Sequence, residues 1–333
     1  MLRRAALLAL AAGLSSLITG RAHAQAGARL DRVRFGLDWR PEAEYGGYYQ
    51  ALATGLYRKA GLDVSIQPGG PQVNQLQLLL AGRLDLVITG NAFLALNAAQ
   101  EHLPIRAVAA FFQKDPAVLI AHSGTGHDSF EALRGTPILI GSDTRVGWWN
   151  FLKARFGYTD AQIRPYTFNA APFLADKQAV QQGYATSEPF TLAQAMGEKP
   201  VVLLLADAGF NGYASLVSAR DDLIAQHPDV VQRFIAASIE GWRSYLNGDP
   251  APAFALIKRE NPEMADDLLA YARQALIDRG IVESGDALTL GIGAMTDARW
   301  ASFAQSMAAA GLYPAGFDPK PAYTLAFVDK KAP

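Results

Sequence analysis

Cysteine is absent from all 333 residues, and charged side chains make up only 18% of the chain. Without thiols there are no disulfides, Cys-type zinc sites, iron–sulfur ligation, thiol catalysis or acylation of an N-terminal lipoprotein cysteine. Net charge is equally scarce. Thirty basic and 31 acidic side chains leave a formal −1, which gives no electrostatic reason to bind nucleic acid. The five histidines (His23, His102, His122, His127 and His227) show no H-x-x-x-H or H-E-x-x-H metal spacing. Neither a G-x-S-x-G elbow nor a G-x-x-x-x-G-K-[ST] loop occurs. Gly69-Gly70-Pro71 precedes a helical stretch, but its proline removes an amide donor that a phosphate cradle would use. The expectation is a protein that is not an enzyme and carries no cofactor and no metal.

Half of the residues are hydrophobic, so the chain has ample core-forming material, and disorder is excluded. At this length two lobes of roughly 100–200 residues each are expected. One apolar run stands apart. Arg3 and Arg4 precede Ala5 to Leu14, and Ala22-His23-Ala24 places small residues where a signal peptidase reads. Ser15, Ser16, Thr19 and Gly20 shorten the run below the ~20 residues a membrane span requires. Residues 1–24 therefore read as a cleavable signal peptide. Its loss removes Arg3, Arg4 and Arg21 and leaves 27 basic against 31 acidic side chains, a formal −4. The mature chain is expected to be a freely diffusing periplasmic monomer.

Beyond the signal the pattern alternates. Val33–Leu37 reads as a strand, Ala43–Ala60 as a helix closed by Gly61, and Leu62–Ile66 as a strand, a unit that calls for parallel pairing. Val73–Ala81 follows as a helix, Leu84–Ile88 as a strand, and Gly90-Asn91 as the cap of the next helix. Ile105–Phe112, Ala117–His122, Pro137–Ile140, Tyr166–Phe168, Gly183–Thr186 and Val201–Leu205 read as further strands. Ser129–Leu133 reads as a short helix, and Gly141 to Thr144 leads into another that carries Trp148 and Trp149. Past Ser215 to Val217 the chain is mostly helical, over Pro228–Tyr245, Pro252–Glu260, Pro262–Arg279 and Thr296–Ala310. The fold class is α/β, two lobes each with a central, mostly parallel sheet flanked by helices.

Ligands of open α/β sheets sit beyond the C-terminal strand ends, at helix N-termini. The loops there offer Asp38, Trp39, Glu44 and Tyr45; Thr89, Gly90 and Asn91; Ser142, Asp143, Thr144, Arg145, Trp148 and Trp149; Ser187, Glu188 and Phe190; and Tyr213. They are rich in aromatic, amide and carboxylate groups and contain no lysine. Such a cavity suits a flat, mostly neutral ring, stacked on a face and hydrogen-bonded at its edge, and repels sulfonate, nitrate or phosphate. Several residues have a second reading. Trp39 suits a lid over the core as well as a stacking platform. Glu44 and Asp143 also complement helix dipoles, and the Tyr45, Tyr48 and Tyr49 face is at least half core by its spacing. Trp148 and Trp149 point about 100° apart on a helix, so at most one faces the cleft.

Leu37-Asp38-Trp39-Arg40-Pro41, Gly46-Gly47-Tyr48-Tyr49-Gln50-Ala51, Gly55-Leu56-Tyr57, Gly61-Leu62-Asp63-Val64 and Gly82-Arg83-Leu84-Asp85-Leu86 resemble periplasmic substrate-binding proteins of ABC importers. The similarity is to the thiamine-pyrimidine-precursor (ThiY-like) branch of the nitrate/sulfonate/taurine-type family, with Ser187-Glu188-Pro189-Phe190 matching a later element. The resemblance implies the type II periplasmic-binding-protein fold. Lobe one would hold 31–117 plus 215–333, and lobe two 118–214, closing on ligand about two crossovers. It also implies that Trp39 stacks on a heteroaromatic ring while Glu188 takes its amino edge. Asn91, Asp143, Tyr213, Tyr45 and Trp148 are further candidate ligand-binding residues, resting on loop placement. The implied partners are a small heteroaromatic ligand, first a thiamine pyrimidine precursor, and an inner-membrane ABC permease. Riboflavin, an aromatic carboxylate or a sulfonate is the alternative ligand, an anion using Arg145 or Arg40. A periplasmic enzyme acting on a pyrimidine-like heterocycle is the alternative from another class, although the Cys-rich iron-site motif of related pyrimidine synthases is missing.

Overall fold

The computed structural model of the protein describes residues 29–145 and 147–328; the expected signal segment lies outside the described residues. Strand β1 (Asp31–Gly36) forms where Val33 and Phe35 point inward and Arg32 and Arg34 outward, the period-two pattern of a half-buried strand. It pairs in parallel with β2 (Leu62–Gln67) on one side and β3 (Leu86–Asn91) on the other, as strands joined through helices must. After β4 (Ile105–Phe112) the chain crosses at residues 113–116 into a second sheet. That sheet contains β5 (Ala117–Ala121), β6 (Ile138–Ile140), β7 (Ile163–Pro165), β8 (Val180–Tyr184) and β9 (Val201–Leu204). Residues 205–213 cross back, and β10 (Ala214–Arg220) rejoins the first sheet.

The two sheets repeat one plan. The first has the order β2-β1-β3-β10-β4 and the second β7-β6-β8-β5-β9. In each, the fourth strand is the one that has just crossed over, and it runs antiparallel to both neighbours. The expected α/β class with two sheet-centred lobes is what the chain adopts, with one antiparallel strand in each sheet.

In lobe one the helix Gly46–Ala53 crosses the helix Pro228–Asn247 with almost no separation. A Cβ on Gly46 would lie 2.1 Å from the Tyr245 ring, and one on Gly47 2.1 Å from the Trp242 ring. Tyr48, on the same helix, meets Phe35, Phe111 and Trp242 at 4.9, 5.1 and 5.7 Å between ring centres. Burying rings of this size contributes about 1.5–3 kcal/mol each. This packing fixes the loop before the helix, from Asp38 to Tyr45, which forms one wall of the site.

Several elements depart from the sequence expectations. The helix expected over Ala43–Ala60 is three pieces: a 3-10 turn Ala43–Tyr45, the helix Gly46–Ala53 and the helix Leu56–Lys59. Gly55 breaks it with a left-handed φ of 74°, a conformation glycine adopts without a Cβ penalty. Ser129–Leu133 is turn rather than helix. The helix expected after Gly141 is split into Ser142–Arg145 and Trp148–Phe156. The strand expected at Tyr166–Phe168 lies three residues earlier, at β7. Its Pro165 is tolerated because β7 is an edge strand. Tyr166 and Phe168 thereby pass onto the loop beyond the strand end.

Candidate binding cleft between the lobes

The crossovers decide where a site forms. Phe112, the last residue of β4, pairs with Ala214, the first of β10, and Ala214 also pairs with Asn91, the last of β3. In the second sheet Ala117, the first of β5, pairs with Tyr184, the last of β8. Both crossovers and the C-terminal ends of the parallel strands therefore share one edge of each sheet. The loops of the two lobes meet there, where open α/β sheets bind ligands.

Five carboxylates and a set of aromatic rings converge at that edge. From lobe one come Asp38, Trp39, Glu42, Glu44 and Tyr45. Tyr45 donates its hydroxyl to Asp38 at 2.7 Å. Glu44 is 7% exposed and accepts the Thr186 hydroxyl from lobe two, so a polar contact joins the lobes. Trp39 lies 5.0 Å from Phe168 of lobe two, at 47° between ring planes, and Tyr166 continues the row at 5.3 Å from Phe168. Phe168 holds a left-handed φ of 60° and remains 49% exposed. A large ring is thus held in a sparsely populated conformation, open to solvent beside an indole.

From lobe two, Glu188 stands at the first turn of the helix Glu188–Met196, where the helix dipole favours an anion. Its Oε2 accepts the Tyr184 amide at 2.9 Å and the Ser187 hydroxyl. Tyr184 is 37% exposed into the cleft. Its hydroxyl is held well above its usual pKa, first by loss of solvent and then by Asp115, Asp38, Glu44 and Glu188.

The electrostatics are uniformly acidic. Burial pushes Asp38 up to about 6, against the stabilising bond from Tyr45. Glu42 is pushed well above the carboxylate range by burial and by its neighbours Glu44 and Glu188, opposed by Arg40 and by the Trp39 indole. Glu44 is raised by burial, with Glu188 adding to the shift against the bond from Thr186. Asp115, in the first crossover, is raised to about 6 by burial against its bond to the Ala117 amide. Among the described residues Arg40 is the one cation that tempers this group, and Glu263 shares it at 3.1 Å. Yet no group of three or more described His, Cys, Asp or Glu side chains is arranged to hold a metal.

The sequence candidates divide. Trp39, Glu188 and Tyr45 come together here. Asn91 stands at the same strand end, where its carbonyl caps the next helix by accepting the Leu94 amide at 3.2 Å. Tyr213 lies outside the cluster. It is 1% exposed, its hydroxyl is bonded to Asp286 and to the Thr296 amide, and Arg299 covers its ring at 4.3 Å. Its place in the return crossover gives it a bracing role there. Trp148 and Trp149 are both core, at 6% and 0% exposed, with the Trp149 indole donating to Asp160 at 3.0 Å. Asp143 belongs to the short helix Ser142–Arg145, and its side chain lies outside the described residues. Arg145 is exposed, and its charge contributes the smallest part of the downward shift of Asp160.

Glu42, Asp115, Tyr166, Phe168 and Tyr184 were not among the sequence candidates. Glu42 follows Pro41 in a loop already singled out, and Asp115 precedes Pro116 between two strands; both were legible as loop carboxylates. The two lobe-two aromatics on the β7 loop were hidden by the misplaced strand. A concavity of about 390 Å³ lined by Leu80, Gly82, Pro104 and Arg220 lies at the opposite, N-terminal ends of the strands. There Arg220 is spent on the Leu79 and Leu84 carbonyls and on Asp222, so that hollow is structural.

Two sheet-centred lobes joined by paired crossovers are the architecture of the periplasmic-binding-protein fold. The profile of the family described as NMT1/THI5 like matches residues 42–253, and the chain belongs to that family. The riboflavin-binding protein RibY of Chloroflexus aurantiacus is 30% identical over 312 residues, covering 90% of this chain and 86% of that protein. The periplasmic aliphatic sulphonate binding protein SsuA of Escherichia coli has a similar structure. Its TM-score is 0.66 at 15% identity, over 88% of this chain and 92% of that one. The desulfurization enzyme DSZB shares the fold at TM-score 0.58 and 13% identity, over 90% and 97% of the two chains.

Proposed function

We propose that this protein is an exported solute receptor for an ABC importer, which traps a flat, neutral or cationic, donor-rich heteroaromatic between its lobes and releases it unaltered to an inner-membrane permease. The observation that carries this reading is the convergence of Asp38, Glu42, Glu44, Asp115 and Glu188 with the Trp39–Phe168 pair on the facing edges of the two sheets. Carboxylates without matching cations favour a ligand that donates hydrogen bonds and oppose a sulfonate or carboxylate. The likeness to RibY favours a flavin over the thiamine pyrimidine precursor as first candidate. A ligand that touches both walls supplies the differential affinity that closes the lobes, and the closed form is what a permease recognises.

A receptor and an enzyme differ in whether the bound ligand leaves unchanged. Mass spectrometry of the natively purified protein tests both points. The receptor reading predicts a co-purifying flavin or pyrimidine that leaves with its mass unchanged after prolonged incubation. A bound anion, or a flavin or pyrimidine converted to a new mass, would contradict it.

A further inference from the structure

We infer that the cleft takes a ligand in two parts, a flat ring between the Trp39 and Phe168 side and a tail bearing hydroxyl donors that ends on the Asp115 carboxylate at the crossover. This deepens the receptor reading and rests on it.

Asp115 is 1% exposed, and its Oδ1 accepts the Ala117 amide at 2.9 Å. Its Oδ2 is buried and makes no full hydrogen bond, although the Asn91 amide approaches the carboxylate. A buried carboxylate oxygen without a full hydrogen bond is costly, and no described cation answers it. The neighbourhood is polar. Asp38 acts on Asp115 across the strand ends, and Asn91, whose carbonyl is occupied by its helix cap, turns its amide to Asp115. Gly90 leaves space beside Asp38, since a Cβ there would lie 3.0 Å from Asp38 Oδ2. The Tyr184 hydroxyl feels Asp115 and Asp38 most, and Glu44 and Glu188 after them. Trp39, Phe168 and Tyr166 thus form one compartment as a row of rings, and Asp38, Asn91 and Asp115 a second, polar one, with the charges of the second acting on the Tyr184 hydroxyl. A bare ring held by Trp39 and Glu188 would leave the second compartment unanswered. A polyol tail answers it, because hydroxyls donate to carboxylates and accept from an amide and a phenol.

The placement also ties binding to the pivot. Before Asp115 the crossover is anchored in lobe one, where the Gln113 amide donates to the Ile281 carbonyl at 2.7 Å and the Gln113 side chain to the Ala294 carbonyl at 3.0 Å. After it, the Pro116 carbonyl accepts the Ala185 amide of lobe two at 2.9 Å. A donor seated on Asp115 therefore touches the segment about which the lobes move.

Riboflavin and lumiflavin, which share a ring system but differ in the hydroxylated tail, separate the two compartments when titrated against the intact protein by fluorescence quenching. The wild type is expected to prefer riboflavin by about tenfold or more, the value of one or two charge-assisted hydrogen bonds. Asp115→Asn, which keeps an oxygen for the Ala117 amide, is expected to weaken riboflavin by about tenfold to a hundredfold while leaving lumiflavin within about threefold. Asp38→Asn should show the same selectivity and serves as the second variant if Asp115→Asn does not fold. Equal losses for the two flavins, or no loss in either variant, would overturn the two-part ligand while leaving the receptor reading intact. A wild type that binds neither flavin would remove the flavin reading itself.

Discussion

Trp39 is the tryptophan whose surroundings differ from the rest. Trp148, Trp149, Trp242 and Trp300 are buried at 6% exposure or less, whereas Trp39 is half-buried beside Phe168 at the cleft. Ligand-dependent change in tryptophan emission should therefore come from this one indole, and Trp39→Phe should abolish it while the protein stays folded. A ligand response that survives in Trp39→Phe would place the ring elsewhere. The buried acids make a second residue-scale prediction. Asp38 and Asp115 titrate near 6, above the ordinary 3.8, so the folded chain holds these protons more tightly than the unfolded one. Stability from this source is fully present below about pH 4 and is lost as pH rises through 6. Asp160, Asp229 and Asp297 are shifted downward by their partners and matter only below that range. Calorimetry of the ligand-free protein should thus find a higher melting temperature near pH 5.5 than near pH 7.5, and Asp38→Asn should flatten the difference.

The close crossing of Gly46–Ala53 on Pro228–Asn247 governs the element scale. Gly47→Ala would drive a methyl into the Trp242 ring, and overpacking of this kind costs about 1–3 kcal/mol. Urea unfolding should register that loss, and because the Asp38–Tyr45 wall leans on this helix, ligand affinity should fall with it. An unchanged unfolding midpoint would mean that the helices can separate freely. Periodicity and punctuation were enough to read most elements. Alternation in Val33–Leu37, the Asn91 cap and the proline-led C-terminal helices all lie close to where they were expected. The misses are those where tertiary context outweighs local pattern. Gly55 divides a stretch whose apolar spacing looks continuous, and the edge position of β7 admits Pro165 within a strand. That second miss is why Phe168 could not be anticipated as a cleft residue. Tyr213 stands away from the carboxylates for a related reason. Its loop reaches the crossover, but Asp286 and Arg299, more than 70 residues later in the chain, claim its hydroxyl and ring.

At the scale of the whole molecule, the lobes already touch through Glu44 with Thr186, Trp39 with Phe168, and Phe190 with Tyr271 at 4.9 Å. On the receptor reading a ligand enters beside Trp39 and displaces its contact with Phe168, so the unliganded protein visits a more open form. Small-angle scattering should therefore show a smaller radius of gyration with ligand than without, and no change would indicate that closure does not accompany binding. The acidity of the cleft is also a whole-molecule property, because its five carboxylates come from the first-strand loop, the first crossover and the start of the lobe-two helix Glu188–Met196. The sequence candidates covered the first-strand loop and the Ser187–Phe190 loop but not the first crossover, and the union of all three on one edge depends on the repeated sheet order. The most direct test of this account is calorimetric titration of the wild-type protein with riboflavin and, separately, with an alkanesulfonate at neutral pH. The account predicts saturable heat with riboflavin, weakened about tenfold or more by Glu188→Gln and unchanged by Arg145→Ala, with no binding of the sulfonate. Tight sulfonate binding that is lost in Arg145→Ala would contradict it.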